Sequence, residues 1–154
     1  MRLSEKKKTL ELLEKLRVLN YKSAFIYEIT YQKEKRLMLR KLYQQLHQQK
    51  KEFLLEIEEK IEQLKKEISP IPDPEKLAFY KRKKLIISQL YLKYKMKCNL
   101  TYAHKRELKS YKKYCKYLSQ TNHGGVRAII LDHKHRIRSL LNEMNSTGII
   151  NYQS

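Results

Sequence analysis

Glycine and proline occur only three times each in 154 residues, and tryptophan is absent. So little punctuation excludes a fold of many short strands and tight turns, and it favours a few long helices. No run of about 18 apolar residues exists, so no membrane span is expected. The opening residues, MRLSEKKKTLELLEKL, lack the apolar core of a signal peptide and read as an ordinary helix start. Only two cysteines are present, Cys98 and Cys115. On one helix their separation of 17 residues amounts to ~25 Å, too far for a disulfide. That pattern fits a reducing, cytoplasmic setting. Acids are the other shortage: 16 Asp and Glu against 35 Lys and Arg leave a net charge of +19. A charge this far from zero implies repulsion within the fold and attraction to polyanions.

The organising stretch is Leu37 to Ile68, which contains neither Gly nor Pro. Leu39, Leu42, Leu46, Phe53, Ile57, Ile61, Leu64 and Ile68, with Gln49 filling the one gap, recur at steps of three, four and seven. They form one stripe of a helix about 50 Å long whose opposite face is Glu, Lys and Gln. Such a helix buries one side only and needs partners.

A preceding helix is predicted from Ser4 to about Lys33, with Leu12, Leu16, Leu19, Ser23, Ile26 and Thr30 as its seam. Leu13, Asn20 and Tyr27 flank that seam, so the Asn20 amide needs buried partners. A hinge around Gln32 to Arg36 makes the two helices an antiparallel hairpin. Ser69-Pro-Ile-Pro-Asp-Pro then breaks the chain, and Asp73-Pro74-Glu75 restarts it. Residues 75–118 would overshoot their partner as one helix, so an interruption near Ser88 is predicted, giving helices at about 75–87 and 89–118. The longer piece carries a stripe of Tyr94, Cys98, Thr101, His104, Leu108, Tyr111, Cys115 and Leu118. Asn122-His123-Gly124-Gly125 ends it. A last helix, about 126–146, is expected to bury Val126, Ile129/Ile130, His133, Ile137, Leu140/Leu141 and Met144, and residues 147–154 form a tail.

Four local patterns resemble an uncharacterised bacterial family of four-helix bundles in the ferritin-like superfamily. Asn20 followed by Tyr27 resembles that family's N-x6-Y signature, and Gln49, Phe53, Glu56-Ile57, Ile61, Leu64 resembles its Q-x3-F-x2-E-L-x3-V-x2-L run. The chain around Cys98 and Tyr111 is similar to a C-E-x-G-E-D…Y segment, and His135-Arg136-Ile137…Leu140 to a closing H-D-R-I-x-x-L. The resemblance implies an all-α, antiparallel ferritin-like four-helix bundle over residues 1–154, with a short extra helix after the proline-rich loop.

Ferritin-like proteins that hold two metal ions need a Glu from two helices and Glu-x-x-His from the other two. No Glu-x-x-His occurs here, and no inward carboxylate set is expected. Glu56 and Glu59 read as surface partners of Lys60 and of Arg or Lys on adjacent turns. His104 and His133 lie on apolar stripes of neighbouring helices and could approach each other. A histidine in that position is ordinarily a hydrogen-bonded core residue, and no nearby cysteine or carboxylate lies on those faces to complete a metal site. With no serine elbow and no phosphate loop, neither catalysis, a metal nor a cofactor is expected.

One constellation carries functional content. Residues 76–117 hold 14 basic side chains, seven tyrosines and a single acid, Glu107. Lys81, Arg82, Lys83 and Lys84 open the run, and Lys105, Lys109, Lys112 and Lys116 line one side of a helix. These cations can neutralise phosphates, and the tyrosines offer faces for unpaired bases. An AT-rich genome drifting toward Lys, Asn, Ile and Tyr codons accounts for the same composition without a function. Three readings follow: a non-catalytic structural or protein-interaction module, self-associating or partnered; a nonspecific binder of nucleic acid or another polyanion; and, last, a divergent metal or redox protein using His104 and His133.

Overall fold

A computed structural model describes residues 2–68 and 98–146, and among them it is all-helical, with no strand. The helices are α1 (Leu3–Lys33), α2 (Leu37–Ile68), α3 (Leu100–Leu118) and α4 (Gly124–Ser146). The expected helix at 75–87 and the cations Lys81, Arg82, Lys83 and Lys84 lie outside the described residues.

The first two helices match their apolar patterning. The α1 seam and its Asn20–Tyr27 flank are buried apart from Leu19, which packs at the rim. Along α2 the stripe from Leu39 to Leu64 is buried, Gln49 included. Lys6 lies 3.4 Å from Glu67, Arg17 3.2 Å from Glu58, and His47 Nδ1 donates to the Ala24 carbonyl at 2.8 Å. Those pairings show that α1 and α2 run in opposite directions.

The third helix differs from expectation at its start and in its buried face. It begins at Leu100, not near residue 89, because Asn99 is extended and its side chain accepts from Tyr102 N–H at 2.8 Å, an N-cap. The face turned inward carries Leu100, Ala103, Glu107, Ser110 and Tyr114. The more apolar row of Thr101, His104, Leu108, Tyr111 and Cys115 is half-buried or exposed. The helix rotates this way because Glu107 and Tyr114 meet partners on other helices. At its far end Arg127 donates to the carbonyls of Leu118 and Thr121, closing the turn into α4. Both cysteines are free, and burial pushes the Cys98 thiol up to about 11.

Across the two hairpins, Asn20 meets Tyr114 and Tyr27 meets Glu107, so α1 opposes α3. Glu56 meets His133 and Glu52 meets Arg136, so α2 opposes α4. It follows that α2 and α3 point the same way. The shared core centres on Leu13, Leu16, Phe53, Ile57, Tyr114, Ile130 and Ile137, each essentially removed from solvent.

Candidate functional site

Two polar networks occupy the middle of the bundle. The first starts from Lys50, which follows the Gln49 position on α2 and is fully buried. Its ammonium lies 2.6 Å from Glu107 Oε1 and donates to Gln49 Oε1 at 2.9 Å. Tyr27 Oη donates to Glu107 Oε2 at 2.7 Å, and Gln49 Nε2 donates to the Arg136 carbonyl at 3.0 Å. Burial pulls the Lys50 ammonium below the ordinary lysine range, and the Glu107 carboxylate opposes that pull. Burial and the same carboxylate push the Tyr27 phenol well up. The pair is sealed: both side chains have zero exposure.

The second network is built on His133. Tyr114 Oη lies 2.9 Å from His133 Nδ1 and accepts from Asn20 Nδ2 at 2.8 Å. His133 Nε2 lies 2.7 Å from Glu56 Oε2. Desolvation holds the imidazole down at about 3, outweighing the attraction of Asp132 and reinforced by Arg136 and Lys50. A neutral ring satisfies every partner in one arrangement. Asn20 donates to Tyr114, Tyr114 donates to Nδ1, and Nε2–H donates to Glu56. The Asn20 amide also donates to the Leu16 carbonyl at 2.9 Å. Phe53 stacks on His133 with centroids 3.8 Å apart, while the Lys50 ammonium stands 5.1 Å from the Phe53 ring centre.

These contacts correct three expectations. Glu107 is an inward carboxylate on α3, concealed in the most basic part of the chain. Glu56 faces His133 and Arg136, with no ion pair to Lys60. His133 does not approach His104: it meets α3 at Tyr114, ten residues and about 15 Å farther along. Lys50 and Glu107 had no signal in the local pattern, since each is polar at a position whose neighbours alone decide burial. Elsewhere Tyr43 Oη, His104 Nε2 and Ser110 Oγ are buried with no hydrogen-bond partner among the described residues.

Glu56, Asp132 and His133 bring three ligand-type atoms within 4.8 Å of one another. One histidine and two carboxylates are a donor set that suits a divalent ion. The surroundings fit one poorly. Arg136 already lies 3.7 Å from Glu56 Oε1 and 3.9 Å from Asp132 Oδ2. A metal on Nε2 would move the ring proton to Nδ1 and leave the Tyr114 hydroxyl proton without its acceptor. A two-metal centre fits worse, because the Lys50 ammonium already neutralises the inward Glu107.

On the outside, Lys105, Lys109, Lys112, Lys113 and Lys116 are all exposed on α3. The helix's single acid is buried, so no exposed carboxylate interrupts them. Tyr102, Lys105, Arg106, Leu108, Lys109 and Lys112 border an open cleft of about 450 Å³. The tyrosines serve the fold: Tyr114 is buried, and Tyr102, Tyr111 and Tyr117 pack on the core. Tyr111 also carries Lys134 and Arg138 of α4 over its ring, at 5.7 and 5.4 Å. No described helix is long and apolar enough to cross a membrane. Compared with known proteins, the chain matches no family model, no curated protein and no solved structure.

Proposed function

We propose that this chain is a non-catalytic helical module of ferritin-like connectivity that associates with phosphate polyanions, nucleic acid foremost, through the outer face of α3. One observation carries the reading: the only acid of α3 is turned inward against Lys50, leaving five exposed lysines with no acid among them. The ferritin-like assignment is supported by the helix directions. Two hairpins with their second and third helices parallel are the helix directions of a bundle with one long crossover connection, as in that superfamily. The non-catalytic assignment is supported by an interior in which Lys50, Glu107, Tyr27 and His133 are each held by other protein groups. Because the α3 tyrosines are committed to packing, binding rests on backbone phosphates and not on base stacking.

The test is binding of a short duplex DNA across a salt series. For duplex DNA log K falls with log salt at a slope of roughly −0.9 per phosphate neutralised. Removing Lys105, Lys109, Lys112 and Lys116 together is expected to flatten the slope by up to about four charges' worth. An equal loss from removing any other four lysines would mean bulk attraction and defeat the assignment to this face. The competing reading is a protein-interaction module, which the exposed Leu37 and Met38 at the tip of the first hairpin favour. Concentration-dependent self-association without nucleic-acid binding would select it.

A further inference from the structure

The outer face of α3 does not stand alone. Where it meets α1, Arg106 Nε donates to the buried Ser23 Oγ at 2.9 Å. That bond fixes the half-buried guanidinium at the seam between the two helices, and among the described residues its two terminal nitrogens meet no acceptor. Lys22, the neighbour of Ser23, is exposed on the same seam, and Lys109 and Lys113 follow Arg106 by three and seven residues along α3. Among the described residues no carboxylate forms an ion pair with any of these four cations. Their mutual repulsion is felt at Lys22, which is drawn below the ordinary lysine range by partial burial and then by Arg106, Lys113 and Lys109. Three other arginines are matched by acids, Arg17 with Glu58, Arg36 with Glu34 and Arg136 with Glu52. Four cations gathered from two helices without a counter-charge repel one another, and a bound anion relieves that repulsion.

We infer that Lys22, Arg106, Lys109 and Lys113 form a seat for one phosphate group of a nucleic-acid backbone at the α1–α3 seam. Arg106, oriented by Ser23, presents its planar fork to two phosphate oxygens, and the lysines supply point charges around it. The seat sets where the backbone is gripped, and Lys105, Lys112 and Lys116 continue the contact along α3. This inference rests on the polyanion reading above and adds a fixed position to it.

The experiment measures binding of a short labelled DNA duplex to the full chain and its variants at low salt. Lys22→Gln/Arg106→Gln is expected to weaken binding about tenfold or more and to make the salt slope shallower by about two contacts' worth. Lys7→Gln/Lys8→Gln removes the same charge from exposed positions at the start of α1 and is expected to weaken binding less than about threefold. Arg106→Lys keeps the charge but loses the fork, and is expected to behave more like Arg106→Gln than like the native chain. Lys22→Gln alone guards against misfolding: relief of repulsion is expected to leave its melting temperature equal or higher while affinity falls. If both double variants weaken binding alike, or Arg106→Lys binds as the native chain does, the seat is overturned while the polyanion reading stands. Failure of the native chain to bind duplex at low salt overturns both.

Discussion

A lysine ammonium sealed inside a bundle is tolerated only when an opposite charge lies within hydrogen-bond reach. Lys50 has Glu107 at 2.6 Å, with Tyr27 and Gln49 completing the set. Removing one partner leaves the other buried and uncompensated, which costs about 3–5 kcal/mol in comparable pairs. Glu107→Gln is therefore expected to be severely destabilising in urea unfolding. Lys50→Met/Glu107→Gln is expected to recover most of the loss, because Gln still accepts from Tyr27. Additive effects in that double-mutant cycle would show that the two groups are not coupled. His133 supplies a pH dependence. Its folded-state value of about 3 lies below the ordinary 6.5, so below pH 6.5 the unfolded chain binds the extra proton. Stability from the neutral ring is complete above 6.5 and is lost as pH falls toward 3. The slope is at most ~1.4 kcal/mol per pH unit. The facing charges of Glu56, Asp132, Arg136 and Lys50 set how much of it appears. His133→Gln is expected to flatten the curve between pH 6 and 4, and an unchanged slope would assign the acid sensitivity elsewhere.

At the scale of the helix, the local pattern succeeded where burial and apolarity coincide and failed where they part. The stripes of α1, α2 and α4 were legible because Leu, Ile, Phe and Met mark the inward side at helical spacing. Asn20 and Gln49 were legible too, as polar residues lying within apolar rows. On α3 the inward row contains Ser110 and Glu107, and the partners of Glu107 sit on other helices far away in sequence. Hydropathy therefore favoured the row that lies outside. The start of α3 was hidden for a related reason: with no Gly or Pro nearby, only the capping bond from Asn99 marks it. Asn99→Ala is expected to cost about 1 kcal/mol in thermal or urea unfolding, and a change within ±0.3 kcal/mol would show that the cap contributes nothing. The candidate site was legible only in its outer half, since Lys105 to Lys116 follow from spacing alone while Lys22 joins them only through the fold.

Over the whole molecule, a net charge of +19 with few long-range ion pairs makes the folded state self-repulsive. Melting temperature is expected to rise as chloride increases from about 0.01 to 0.15 M, over which the screening length shrinks from about 30 to 8 Å. A falling melting temperature would mean that attractive pairs dominate. The arrangement of the interior also has an electrical side. Phe53 is in contact with both polar networks: His133 lies flat against its ring, and the Lys50 ammonium lies near it. No hydrogen-bonded path for a proton joins the two networks among the described residues. The aromatic ring works as an insulator between two circuits, one grounded to solvent through Glu56 and the other floating. A drop in external pH can discharge into the first and reach His133 without touching the ammonium–carboxylate pair behind the ring. Falling pH should therefore disturb the Tyr114–His133–Glu56 contacts while the Lys50–Glu107 pair stays locked.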